Sequence, residues 1–255
     1  MKITNFLLSG VILLGFVACK KPIQNLPQEP FTPPSFKATQ YTFLGSYDTL
    51  GRPLDYLLKP DSLSVELLNF IKNTLPEGMD IRKSNPTLIS SNSDLKIQQK
   101  AEVFITFVAE GAGKLNTLAY YTYTTNSPPQ NVSDFKEVKY LFPNASLIGW
   151  GGGGLVPGDK IKVGNFDSGT SIGFVLIQNG WDKISKKVIP KGYHFCSNEI
   201  INPENDLALK KHTVLINYQK ESKIFIGFED EMRTEPSCDH DFNDLVVYAT
   251  IKNSL

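Results

Sequence analysis

From residue 101 onward the apolar positions recur every second residue. Val103, Ile105 and Phe107 alternate with Phe104, Thr106 and Val108, and the glycines at 111 and 113 then break the run. A period of two belongs to a strand whose faces see different surroundings. A second run, Thr117 to Thr124, stops at Asn126-Ser127-Pro128-Pro129. Further strands are expected at Ile161–Phe166, Ile172–Gln178, Tyr193–Ser197, His212–Tyr218, Lys223–Glu229 and Leu245–Ile251. Short strands with regularly spaced turns predict a mainly β protein, a β-sandwich or jelly-roll-like domain. One short N-terminal helix interrupts this pattern. Leu63, Leu67, Leu68 and Ile71 form a helical stripe, Asp61 is placed to cap it, and Leu75-Pro76-Glu77-Gly78 ends it. Residues 41–255 are read as a single domain, with 41–95 as a helical and loop-rich leading part and 96–255 as the β core.

The first forty residues follow neither period. Lys2 precedes an apolar run, Phe6 to Ala18, that is shorter than the roughly 20 residues a membrane span requires. The run ends in Phe16-Val17-Ala18-Cys19, which resembles the bacterial lipobox, with Phe16 in place of the usual Leu. Residues 1–18 are therefore expected to be a lipoprotein signal peptide and Cys19 the lipidation site. The alternative is an ordinary secretory signal with a chance cysteine. Pro22, Pro27, Pro30, Pro33 and Pro34 make 19–40 an extended tether. At about 3.1 Å per residue it would reach on the order of 60 Å. Position 20 is Lys rather than the Asp that retains enterobacterial lipoproteins at the inner membrane, which points to the outer membrane. The acidic run that sends some Bacteroidetes lipoproteins to the cell surface is absent, so the leaflet is left open.

Charge and cysteine content narrow the partners. Lys plus Arg equals Asp plus Glu, at 26 each, so the basic excess that neutralises nucleic-acid phosphates is missing. Setting Cys19 aside leaves Cys196 and Cys238. An even pair in an oxidising compartment is expected to form a disulfide, and the alternative is two separate buried thiols.

The densest chemistry lies between the last two expected strands, which should form a hairpin. Gly227-Phe228-Glu229-Asp230-Glu231 opens the connection and Cys238-Asp239-His240-Asp241-Phe242-Asn243-Asp244 closes it. Asp239, Asp241 and Asn243 alternate like the first ligands of an EF-hand. However, the sixth position is Asp244 rather than Gly, the twelfth is Thr250 rather than Glu, and the flanks are strands. The connection is not an EF-hand, yet clustered carboxylates repel unless a cation or hydrogen bonds compensate, and a hard cation prefers six to eight oxygens. Glu229, Asp230, Asp239, Asp241, Asn243 and Asp244 are the candidate calcium ligands. The competing view is a solvated acidic loop whose Asn243 and Asp244 organise the turn.

Other motifs carry less. Gly149-Trp150-Gly151-Gly152-Gly153-Gly154 satisfies G-x-G-x-x-G, but Pro157-Gly158-Asp159 and a strand follow it where a dinucleotide site requires a helix. His194, His212 and His240 lack zinc spacing, and no G-x-S-x-G occurs. Trp150, Trp181, Tyr120, Tyr121 and Tyr123 could stack on sugars, but such residues are more often core or cross-strand residues.

From about residue 45 the chain resembles bacterial LruC-domain proteins, which carry a C-terminal domain of unknown function. The resemblance rests on Leu75-Pro76-Glu77-Gly78, Glu110-Gly111-Ala112-Gly113, Tyr120-Tyr121-Thr122-Tyr123 and Phe142-Pro143-Asn144-Ala145-Ser146. It continues through Asn179-Gly180-Trp181, Asn202-Pro203-Glu204 and Gly227-Phe228-Glu229-Asp230, and Asp239-His240-Asp241-Phe242-Asn243-Asp244 is its most specific part. It implies an exported β-rich domain, often on lipoproteins, and supplies no activity. Three functions are weighed. The first is a non-catalytic envelope module that binds calcium, held to the membrane through Cys19 and meeting a glycan or envelope protein. The second is a glycan-acting enzyme using carboxylates of the acidic loop. The third is a metal-free structural or adhesive lipoprotein.

Overall fold

The computed structural model describes residues 36, 39–90, 93–149 and 151–254. The signal peptide, Cys19, most of the tether and Trp150 lie outside the described residues. In chain order the elements are β1 (Gln40–Phe43), α1 (Val65–Thr74), the single-turn α2 (Ile81–Ser84) and α3 (Pro86–Ile89), and β2 (Leu95–Lys96). The β core follows as β3 (Ala101–Glu110), β4 (Thr117–Thr124), β5 (Glu137–Phe142), β6 (Lys160–Phe166) and β7 (Thr170–Ile177). A minor hairpin of β8 (Trp181–Asp182) and β9 (Lys187–Val188) precedes β10 (His194–Cys196), β11 (Thr213–Tyr218), β12 (Lys223–Phe228) and β13 (Leu245–Asn253).

The expected mainly β architecture is present as two sheets facing one core. The first runs β1-β5-β4-β7-β10, with β2 also on β7, and the second runs β11-β12-β13-β3-β6. Alternation decides which side chains meet between them. Val103, Ile105 and Phe107 of β3 join Phe174 and Leu176 of β7 and Ile226 and Phe228 of β12 in the shared core. The other faces are covered as well. Val108 of β3, with Phe225, Val246 and Tyr248, packs under Leu67, Ile71 and Leu75 from the helical segment. On the first sheet, Tyr121, Tyr140, Val175 and Ile177 are roofed by Phe36, Phe135 and Ile201. Covering on both faces explains why β7 reads as a nearly unbroken apolar run rather than an alternating one. Gly173 interrupts that run because a Cβ there would lie 2.1 Å from the Tyr121 ring.

The helix starts later than the sequence suggests. Ser64, not Asp61, caps it, its hydroxyl accepting from Leu67 N at 3.1 Å. Asp61 is drawn away by tertiary partners: Lys160 Nζ at 2.8 Å, the Tyr248 hydroxyl at 2.7 Å and the Thr106 hydroxyl at 3.0 Å. The expected hairpin is formed, β12 pairing antiparallel with β13 and Phe228 opposite Leu245. Leu245 also faces Glu110 on β3. The acidic loop 229–244 and the β3–β4 connection 111–116 therefore lie at the same end of the second sheet.

Candidate metal centre

The closing turn of the acidic loop is built by short-range bonds. Asp239 Oδ1 accepts from Asp241 N at 3.3 Å and Asp241 Oδ1 from Asn243 N at 3.0 Å, a repeated pattern in which an Asx carboxylate folds the backbone two residues on. Between these residues His240 and Phe242 take positive φ, 62° and 60°. Such a conformation costs roughly 1–3 kcal/mol for a residue with a Cβ and persists where the surroundings over-determine it. The surroundings here are specific. The Phe242 ring is fully buried against the helical segment, and its N–H donates to Glu229 Oε1 at 2.8 Å. The Arg233 guanidinium lies 5.0 Å from its ring centre, and Arg233 Nε donates to His240 Nδ1 at 3.2 Å. His240 O accepts from Ile81 N at 3.0 Å, tying the turn to the segment after α1.

That tie brings in a residue from outside the loop. Glu77, Asp239 and Asp241 each place a carboxylate oxygen within 4.8 Å of the other two, the spacing of a metal-binding group. Gly78 N donates to Asp241 Oδ2 at 2.8 Å, so the turn that ends α1 carries Glu77 to the aspartates. Asn243 adjoins the group, its Nδ2 donating to Asp241 Oδ2 at 2.8 Å. Gly111 keeps the space open, since a Cβ there would lie 2.3 Å from Asn243 Oδ1 and 3.3 Å from Glu77 Oε2. Asp241 is 1% exposed, whereas Glu77 and Asp239 face solvent. Burial, with Asp239 and Glu77 nearby, pushes the Asp241 carboxyl up to about 6 against the pull of its backbone donors. The oxygen-only, anionic donor set and the surface opening fit a hard divalent cation.

The rest of the loop is arranged differently. Lys114 Nζ reaches Asp230 Oδ1 at 2.8 Å and Glu231 Oε1 at 2.6 Å, and Asn116 Nδ2 donates to Asp230 Oδ2 at 2.7 Å. Asp244 Oδ2 accepts from Asp230 N at 2.8 Å. Burial, reinforced by Asp230 and Glu229, pushes its carboxyl up to about 9. Glu229 is spent inside the loop, Oε2 accepting from the Cys238 thiol at 3.0 Å, and burial raises it to about 7. Of the six candidate ligands, then, Asp239 and Asp241 converge and Asn243 borders them, while Glu229, Asp230 and Asp244 are engaged elsewhere. Glu77 was missed. Its only trace in the sequence is the Leu-Pro-Glu-Gly helix stop, which gives no hint of a neighbour more than 160 positions away.

The expected Cys196–Cys238 disulfide is not formed; both are free, buried thiols. Cys196 sits under the outer roof of the first sheet with Val175, Ile177 and Ile201. Cys238 belongs to the loop of the second sheet and contacts His240 Nδ1 at 3.3 Å. Compartment logic cannot overcome that placement. Burial pushes both thiols up, so both are neutral at neutral pH. The histidines are likewise structural. His212 Nε2 lies 2.6 Å from Glu204 Oε1, both fully enclosed, and His194 Nε2 lies 2.8 Å from the Tyr41 hydroxyl. Around the glycine run, Leu147 is bridged to Leu155 and Ile148 to Gly153, and Gly152 N donates to Gly149 O at 3.2 Å.

Fold and site together define a two-sheet β domain with an acidic end that carries a candidate metal-binding group. Residues 166–252 match a family model described as a domain of unknown function (DUF4114). The matched span runs from the end of β6 to β13. It holds Asp239, Asp241 and Asn243, while Glu77, Gly111 and Lys114 come from the preceding part of the chain. No curated protein and no solved structure matches the chain.

Proposed function

We propose that the chain is an exported cell-envelope lipoprotein, anchored in the outer membrane through Cys19, whose β domain binds calcium at Glu77, Asp239 and Asp241. It acts as a non-catalytic binding or structural module toward an envelope glycan or protein. The observation that carries the calcium reading is the convergence of three carboxylates from two distant segments over a glycine. The protonation of Asp241 agrees with it: burial, with Asp239 and Glu77 nearby, raises this carboxyl, and a bound cation would reverse that shift. Asn243 Oδ1, backbone oxygens and water would complete the six to eight ligands calcium takes. The lipobox-like Phe16-Val17-Ala18-Cys19 and the resemblance to LruC-domain lipoproteins support the anchor.

Thermal melting of the full chain with added calcium tests the metal. Melting temperature should rise with calcium, return with EDTA, and not respond in Glu77→Gln or in the Asp239→Asn/Asp241→Asn double variant. A melting curve indifferent to calcium would end the reading. For the anchor, palmitate-analogue labelling in a bacterial host should mark the wild type and spare Cys19→Ser.

A further inference from the structure

Away from the acidic end, the first sheet parts. β5 pairs with β4 from Leu118 to Tyr120 and then leaves it, while β4 continues along β7 to Thr124. The opening is a groove of about 430 Å³, within the range of small-molecule sites. Tyr123 and Phe166, both half-buried, form aromatic walls. Tyr120 meets Phe166 edge-on with ring centres 6.4 Å apart, and Tyr121 stacks beside Tyr123 at 6.1 Å. A third wall, Pro128–Pro129, is pinned by Asn198 Nδ2 on Pro129 O at 2.7 Å and Gln130 Nε2 on Pro128 O at 3.0 Å.

The charges around the rim already have partners. The Asp134 carboxylate accepts from Gln130 N and Asn131 N at 2.8 and 2.9 Å. Glu137 holds the Thr42 hydroxyl at 2.9 Å and Lys139 Nζ at 3.3 Å. Lys136 Nζ donates to Ser133 O at 3.3 Å. Asp134 and Lys136 bond only neutral groups, but with the Glu137–Lys139 pair the four rim charges sum to zero, so the rim offers a charged ligand no net counter-charge. A peptide strand fits poorly too. Thr125 N donates to Gly169 O on the β7 side, so even-numbered residues of β4 turn their main-chain groups to the gap. The Thr124 carbonyl is taken by Ser127 N at 2.7 Å, which leaves Thr122 as the open rung.

We propose that this groove binds a neutral glycan, of mono- to disaccharide size at the contact. Sugar C–H faces would lie on Tyr123 and Phe166, and hydroxyls would meet the Thr122 main chain and the polar rim. Rigid aromatic walls with polar edges and self-neutralised charge suit a ligand that is amphipathic, flat-faced and uncharged. The site owes nothing to the cation group, which lies at the other end of β4.

Amide NMR of the full chain in EDTA tests it, with cellobiose, maltose and N,N′-diacetylchitobiose as probes. At least one should shift Thr122, Tyr123 and Lys139 amides in a saturable way. Thr122→Trp, which fills the groove from an exposed position, should weaken that binding at least tenfold with an unchanged melting temperature. Phe166→Leu should weaken it in the same direction. Absence of shifts with all three sugars, or shifts that survive Thr122→Trp, would overturn the proposal. So would binding of a short acetylated Thr-Val-Thr peptide in place of the sugars. Because EDTA is present throughout, failure here is separate from failure of the calcium reading.

Discussion

The acidic loop contains two halves of nearly the same composition and opposite electrostatic solution. At Asp230 and Glu231 the protein supplies its own cation, the Lys114 ammonium, and adds the Asn116 amide. At Asp239 and Asp241 the residue brought in from outside is another carboxylate, Glu77. Adding a third negative charge where a lysine would have served is costly unless a cation from solution is part of the native state. The comparison teaches that a count of acidic residues says little. What separates a structural loop from a candidate metal centre is the sign of the group the fold delivers to it.

The largest expected effect removes the divider between the halves. Phe242→Ala should cost about 3–5 kcal/mol in urea unfolding and remove the calcium response with it, because the ring holds the positive-φ turn in place. Next, wild type at a hundred times the calcium Kd should gain about 2.7 kcal/mol. Gly111→Ala, whose Cβ would collide with Asn243 Oδ1, should abolish that gain. Third, Asp230→Ala should lose about 1–3 kcal/mol by leaving the Asn116 amide unpaired and Lys114 with Glu231 alone, and the loss should be equal with calcium and with EDTA. A loss that calcium repairs would dissolve the distinction between the halves.

A smaller effect follows from titration. Glu229 at about 7 and Asp244 at about 9 stand above their unfolded values near 4. Their stabilisation is complete below those unfolded values and is lost as pH rises through the folded ones. Burial lowers His194 and His240 to about 4 and also lowers His212, which acts the opposite way and is finished by about pH 7. Between pH 7 and 8 the melting temperature should therefore fall in EDTA, and fall less in calcium. The smallest effect is a zero: with Cys196 and Cys238 free, dithiothreitol should leave the melting temperature unchanged.

Much of the scaffold was legible in the sequence. Apolar stretches bounded by turn residues located β3, β4, β6, β7 and β10 to β13, alternating where the two faces differ and unbroken where both are covered, as in β7. β1 and β5 were missed. β1 is a four-residue edge strand that pairs in parallel with β5, whereas β5 does carry a local signal, the alternation of Val138, Tyr140 and Phe142 with Glu137 and Lys139, and was overlooked. The acidic loop was visible as composition, and Asp239 and Asp241 were visible as spacing. The selection among its carboxylates was not.

By itself, the sequence determined the elements whose signals are local: alternation, the helical stripe, and the Asx turns of Asp239-His240-Asp241-Phe242-Asn243. Tertiary structure decided everything that depends on which distant group arrives. It took Asp61 from the helix cap to Lys160 and Tyr248. It set Cys196 under one sheet and Cys238 in the loop of the other. It gave Lys114 to one pair of acids and Glu77 to the other. Electrostatic and thiol chemistry act over a few ångströms of space, and chain separation carries no information about that distance until the sheets have closed.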